Sequence, residues 1–138
     1  LTEPVRLFEE ASHVVAQVAR HHKVIMITKG DLVHQTRKVR TSGIDHLFHH
    51  VEIVLEKDAE TYARVLRSLG ADPHRFCMVG NSLKSDILPV LEIGGFGVHV
   101  PYEILWDLES TDVVPGEGDQ WVELPTLADV PRWLDEQV

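Results

Sequence analysis

The sequence predicts an α/β fold built on an open, mostly parallel sheet, and two observations carry that prediction. Short, fully apolar runs of strand length recur along the chain, and amphipathic or glycine-stopped helical segments separate them. Parallel strands covered on both faces read as continuous apolar runs rather than alternating ones, and Val24-Ile-Met-Ile27 and Phe76-Cys-Met-Val79 are of that kind. Strand and helix in regular alternation imply parallel strands joined by right-handed crossovers.

Val5, Leu7, Phe8, Ala11, Val14, Val15, Val18 and Ala19 recur at three- and four-residue spacing, which predicts an amphipathic helix from Pro4 to His22. The first strand is Val24 to Ile27, closed by Thr28; Gly30 and Asp31 then turn the chain into a polar helix to about Thr41, with Gly43 as its stop. Ile44 to Phe48 is short and partly apolar. Val51 to Leu55 reads as the second strand and Ala59 to Leu69 as a helix ended by Gly70 and Pro73. Phe76 to Val79 is the third strand, Ser85 to Ile93 a helix with Pro89 in its first turns, and Gly97 to Val100 a fourth strand before Pro101. Residues 103–125 read as an irregular surface segment in which Pro115-Gly-Glu-Gly-Asp119 is turn-rich, with Tyr102 and Trp106 packing the tail. Thr126-Leu-Ala-Asp129 resembles a capping box opening a last helix over residues 126–138.

Size and charge narrow the function. A chain of 138 residues with 43% hydrophobic content is enough for one domain with a proper core. Its 22 acids against 13 bases leave a net charge of −9, which disfavours nucleic acid and anionic membrane and favours a small-molecule ligand. The single cysteine, Cys77, excludes an intrachain disulfide and suits a reducing compartment, the cytosol. No apolar stretch approaches the roughly 20 residues of a membrane span.

In open parallel sheets the ligand crevice lies outside the carboxyl ends of the strands. Those ends carry Thr28, Lys29, Gly30 and Asp31 after the first strand, Glu56, Lys57 and Asp58 after the second, and Gly80, Asn81 and Ser82 with Asp86 after the third. A hydroxyl and ammonium groups suit anionic oxygens, while Asn81 and Asp86 offer oxygen ligands to a hard cation such as Mg²⁺. The plainer readings make Lys57 a solvated surface lysine, Asp86 a first-turn acid favoured by the helix dipole, and Asn81 or Ser82 a turn or cap residue. His46, His49 and His50 share helical spacing but have no companion Cys or acid at ligand distance in the sequence, so zinc is not expected.

From Val24 to Tyr102 the constellation resembles the haloacid dehalogenase superfamily of phosphatases and related hydrolases, whose fold is a Rossmann-like three-layer sandwich. The strand ending in Thr28 is similar to the second motif, whose Thr or Ser binds the transferring phosphoryl group. Lys57 is similar to the third, a lysine that neutralises nucleophile and phosphate, and Met78-Val-Gly80-Asn81 through Asp86 to the fourth, which holds Mg²⁺. Gly94 and Gly95 ahead of the last strand complete the order. The resemblance implies catalytic roles for Thr28 and Lys57, phosphate binding by Thr28, Lys29, Gly30 and Lys57, and a cation held by Asp86 and Asn81.

Two departures qualify that implication. The first motif, a strand ending in Asp-x-Asp that supplies the nucleophile, is absent, and Asp31 does not replace it because it follows the second-motif strand. The expectation is therefore a core lacking one central strand, belonging to a longer protein whose N-terminal segment carries the nucleophile, with this chain inactive by itself and inclined to associate through its open edges. Asn81 also stands where Asp is usual, which removes a charge from the cation site. The expected activity is a Mg²⁺-dependent phosphatase acting on a small phosphorylated metabolite. The alternatives are a metal-independent 2-haloacid dehalogenase, whose branch of the family uses Ser and Asn at this point, and a non-catalytic binding domain.

Overall fold

The computed structural model describes residues 2–101, 114–116 and 118–137 of the chain. The fold is α/β with parallel sheets, as the sequence predicts. Its strands fall into two sheets, and the chain divides into two compact units. One is Leu1–Leu55 with Leu127–Val138, the other Glu56–Thr126. Tyr102 and Trp106, expected to pack the tail, lie outside the described residues.

In the first unit, helix α1 (Thr2–Val18) leads through Arg20 to Lys23 into strand β1 (Ile25–Lys29). β1 pairs in parallel with β2 (His50–Val54), Thr28 standing opposite Ile53. The ladder runs past the strands at both ends, with His49 N–H donating to the Val24 carbonyl at 2.8 Å and Gly30 N–H to the Val54 carbonyl at 2.9 Å. Between the strands α2 (Leu32–Ser42) begins at Asp31, whose carboxylate accepts from the His34 amide at 3.0 Å. It ends at Gly43, whose φ of 74° is left-handed and easy only for glycine. A 3₁₀ turn (Asp45–Leu47) follows, and His49 spends its Nδ1 accepting the Val24 amide at 2.9 Å. A second 3₁₀ turn (Leu127–Asp129) and helix α5 (Val130–Glu136) return to pack on α1. Val14, Val39, Val54 and Val130 are buried in this unit.

In the second unit α3 (Ala59–Ser68) is capped by Asp58, which accepts from the Thr61 amide at 2.8 Å, and buries Tyr62, Val65 and Leu66. Strand β3 (Cys77–Gly80) pairs in parallel with β4 (Phe96–His99), and β4 with β5 (Trp121–Glu123). β5 lies inside the stretch expected to be irregular. Its three residues, Trp-Val-Glu, are too short to show a period, and only the open edge of β4 makes them a strand. Val98, flanked by β3 and β5, has no solvent exposure.

The helix expected from Ser85 starts earlier and differently. Residues Leu83–Ile87 form a turn of π-helix, followed by α4 (Leu88–Glu92). Pro89 gives the reason: it has no N–H for the Ser85 carbonyl and its ring would collide with that carbonyl in a regular helix. The Tyr62 hydroxyl, fully buried, donates to the Ser85 oxygen at 2.6 Å instead.

Candidate functional site

The site is built where β3 ends, and its first requirement is close approach. Gly80 closes the strand, and the Asp86 side chain folds back against it so tightly that a Cβ on residue 80 would lie 2.5 Å from the Asp86 Cβ. Only glycine leaves room for that carboxylate. Ser82 caps the π-turn, its hydroxyl accepting from the Ser85 amide at 3.0 Å and its carbonyl from the amides of Asp86 and Ile87 at 2.9 and 3.2 Å. The Ser82 amide donates at 3.1 Å to Asp86 Oδ2. The turn therefore fixes Asp86 from both ends.

Asp86 is only 3% exposed, and its other oxygen, Oδ1, accepts from Lys57 Nζ at 2.8 Å. The Lys57 side chain keeps 23% of its surface open to solvent. A buried carboxylate needs a partner of this kind, because leaving water costs several kcal/mol per ion. Lys57 is held in an ion pair rather than solvated, and Asp86 stands in the first turn as its plainer reading had it but is buried there. Ser82 is indeed a cap, as its plainer reading had it.

Lys57, Asn81 and Asp86 thus belong to one unit, and the ion pair joins two residues 29 positions apart. Thr28, Lys29 and Gly30 belong to the other unit. Thr28 is half-buried near the end of β1, and among the described residues its hydroxyl has no hydrogen-bond partner, so it can donate to a ligand oxygen. Lys29 is exposed, and its carbonyl accepts from the Gln35 side chain at 3.0 Å. Gly30 differs from expectation. Its amide is consumed by the Val54 carbonyl and so is not presented to an anion, and its φ of 153° is one that residues with a side chain rarely adopt. Asp31 serves as a cap, and the His34 amide holds its carboxyl below the ordinary carboxylate range.

The donor set for a cation is thin. Asp86 offers one carboxylate already neutralised by Lys57, with lone pairs to spare on each oxygen, and Asn81 adds a neutral amide that has no described partner. Mg²⁺ commonly takes one or two carboxylates together with water and substrate phosphate, so these residues fit part of a cation site and supply little of its charge. Cys77, at the start of β3, has no reactive character, since burial pushes its thiol up to about 12.

Sequence reasoning missed one polar cluster. His99, buried at the end of β4, places Nδ1 2.8 Å from Glu123 Oε1 and Nε2 3.1 Å from the Asn81 carbonyl oxygen. The available signal was a histidine inside the apolar run Phe96-Gly-Val-His-Val100.

Compared with known proteins, residues 1–94 match the family model of haloacid dehalogenase-like hydrolases. A haloacid dehalogenase-like family hydrolase from Xanthomonas campestris is 39% identical, with a TM-score of 0.81 over 92% of this chain and 53% of its own. A 2-haloacid dehalogenase from Pseudomonas syringae pv. Tomato is 20% identical, with a TM-score of 0.70 over 94% of this chain and 53% of its own. A HAD phosphatase from Thermococcus onnurineus is 19% identical, with a TM-score of 0.67 over 88% of this chain and 55% of its own. The chain therefore spans about half the length of these structures. No curated protein matches it.

Proposed function

Because this chain belongs to the haloacid dehalogenase-like hydrolase family, we propose that it forms part of a phosphatase acting on a small phosphorylated metabolite. The observation that supports this best is the part-buried Lys57–Asp86 pair beside the end of β3, which holds the Lys57 ammonium 2.8 Å from the Asp86 carboxylate. In this reading a carboxylate from outside residues 1–138 attacks phosphorus, and the ester oxygen leaves with a proton. Water then cleaves the acyl phosphate to orthophosphate and returns the carboxylate. Thr28 donates to the phosphoryl oxygens, with Lys29 beside it, and Lys57 offsets their charge. Asp86 and the Asn81 side-chain oxygen are the residues here that would hold Mg²⁺, whose contribution when bound is to neutralise phosphoryl oxygens. With Asp86 already neutralised by Lys57, these two residues supply little of the negative charge that cation would need.

A segment that supplies the nucleophile has somewhere to dock. Among the described residues β1 pairs with β2 alone and β3 with β4 alone, and an open strand edge is a template for another strand. The same open edges favour homo-oligomers. No helix among the described residues is long and apolar enough to cross a membrane, and the single cysteine, Cys77, accords with a reducing compartment such as the cytosol.

One observation favours a second reading, metal-independent dehalogenation: Asp86 has its counter-ion without any metal, and Asn81 carries no charge. Release of orthophosphate from an aryl phosphate and of halide from a 2-haloacid, each with Mg²⁺ and with chelator, separates the two in the intact protein. The phosphatase reading expects Mg²⁺-dependent phosphate release that falls about a hundredfold or more in Lys57→Ala. Halide release undiminished by chelator, with no phosphate release, would replace it.

A further inference from the structure

The Asn81 carbonyl is the one backbone acceptor between Gly80 and Ser82 that a side chain from another strand holds. The Gly80 carbonyl takes the Val100 amide at 2.9 Å, and the Ser82 carbonyl takes the amides of its own turn. The Asn81 oxygen takes His99 Nε2 at 3.1 Å. A carbonyl can only accept, so Nε2 must carry hydrogen and donate. At the other side of the ring, Nδ1 lies 2.8 Å from a Glu123 carboxyl oxygen, and one proton must occupy that line for the contact to be attractive. The two contacts need two protons between ring and carboxyl, carried either as an imidazolium or as a neutral ring with the proton on Glu123. In both cases Glu123, from β5, fixes the orientation of the ring and Nε2 donates to Asn81. The His99 side chain is 10% exposed, which limits competing water at the ring, while the Glu123 side chain stays 54% exposed.

We propose that His99, oriented by Glu123, is a positioning residue that sets the direction of Asn81 relative to Asp86. Fixing the Asn81 carbonyl fixes the peptide plane whose N–H, on Ser82, donates to Asp86 Oδ2. The same brace thus acts on both residues proposed to face the substrate or cation. It also ties β5 to the site, giving the last strand a purpose beyond covering the edge of β4. This rests on the hydrolase reading for its catalytic meaning, and on geometry alone for its mechanical one.

Two readouts keep those meanings apart. Amide hydrogen exchange in the intact protein should show the Ser82 amide exchanging about tenfold faster in His99→Leu, as expected for losing one hydrogen bond from its peptide. The Gly97 and Val98 amides of β4 should stay protected. His99→Gln, which keeps a donor, should return Ser82 to within about twofold of the parent. Proton-coupled nitrogen spectra of the ring should show Nε2 protonated in the parent protein. An unchanged Ser82 rate in His99→Leu, faster exchange throughout β3, β4 and β5 without rescue by Gln, or an unprotonated Nε2 would each overturn the inference. For the catalytic meaning, kcat should fall about tenfold in His99→Leu with KM unchanged, and recover in His99→Gln. If the exchange results hold while neither phosphate nor halide is released by the parent protein, the hydrolase reading fails and the brace stands.

Discussion

The turn after β1 and the turn after β3 both pass from a strand through a glycine to an acid, and they do different things with those parts. In the first, Gly30 spends its amide on the ladder and Asp31, exposed, caps the helix that begins at Leu32. In the second, Gly80 yields its side-chain volume to Asp86, and Asp86 is buried against Lys57. What separates them is burial. An exposed acid gains a local hydrogen bond and little else, whereas a buried one must recruit a distant cation, and that recruitment creates a site. Asp58, the cap of α3, sides with Asp31: it is exposed and its carboxylate accepts from Thr61.

The contrast is easiest to break at Lys57. Replacing it with Met leaves Asp86 buried without its cation, and urea unfolding should show a loss of about 3 kcal/mol or more. Adding Asp86→Leu should recover most of that, because an apolar pair of similar size needs no counter-ion. Gly80→Ala should cost about 1–3 kcal/mol by forcing the Asp86 carboxylate aside, read in the same titration. Tyr62→Phe strands the Ser85 carbonyl that Pro89 cannot serve, and a loss of about 1–2 kcal/mol should appear in thermal melts.

The smallest effect belongs to the exposed caps and is best seen through pH. Hydrogen bonds from Thr61 hold the Asp58 carboxyl below its ordinary value of 3.8, and the His34 amide does the same for Asp31. A carboxyl whose folded value is depressed contributes stability that is present above the unfolded value and lost as pH falls through the folded one. Asp31→Ala and Asp58→Ala should therefore destabilise slightly at neutral pH, and the difference from the parent should vanish in unfolding measured well below pH 3.8. A difference that persisted there would mean that the carboxylate charge is not what caps.

Much of this contrast is legible in one dimension. Short, mostly apolar runs ended by glycine, proline or charged residues locate β1 to β4 within a residue or two. The order Thr28, Lys57, Gly80-Asn81, Asp86 is likewise visible as residue types at strand ends. What no local pattern encodes is which polar groups meet. Lys57 reaches Asp86 across 29 positions, Tyr62 reaches Ser85 across 23, and His99 reaches Asn81 and Glu123 across 18 and 24.

The sequence by itself determined the fold class, the order of its elements and the residues eligible for a site, since these follow from apolar periodicity and from glycine and proline stops that act over a few residues. Only the tertiary structure decided that Gly30's amide is spent, that Asp86 is buried where Asp31 and Asp58 are not, that residues 121–123 become a strand, and that a histidine steadies Asn81. The physical reason is the same in each case. Burial and long-range hydrogen bonding depend on what the rest of the chain brings alongside, and the energy of a polar group is set by those neighbours rather than by its own place in the sequence.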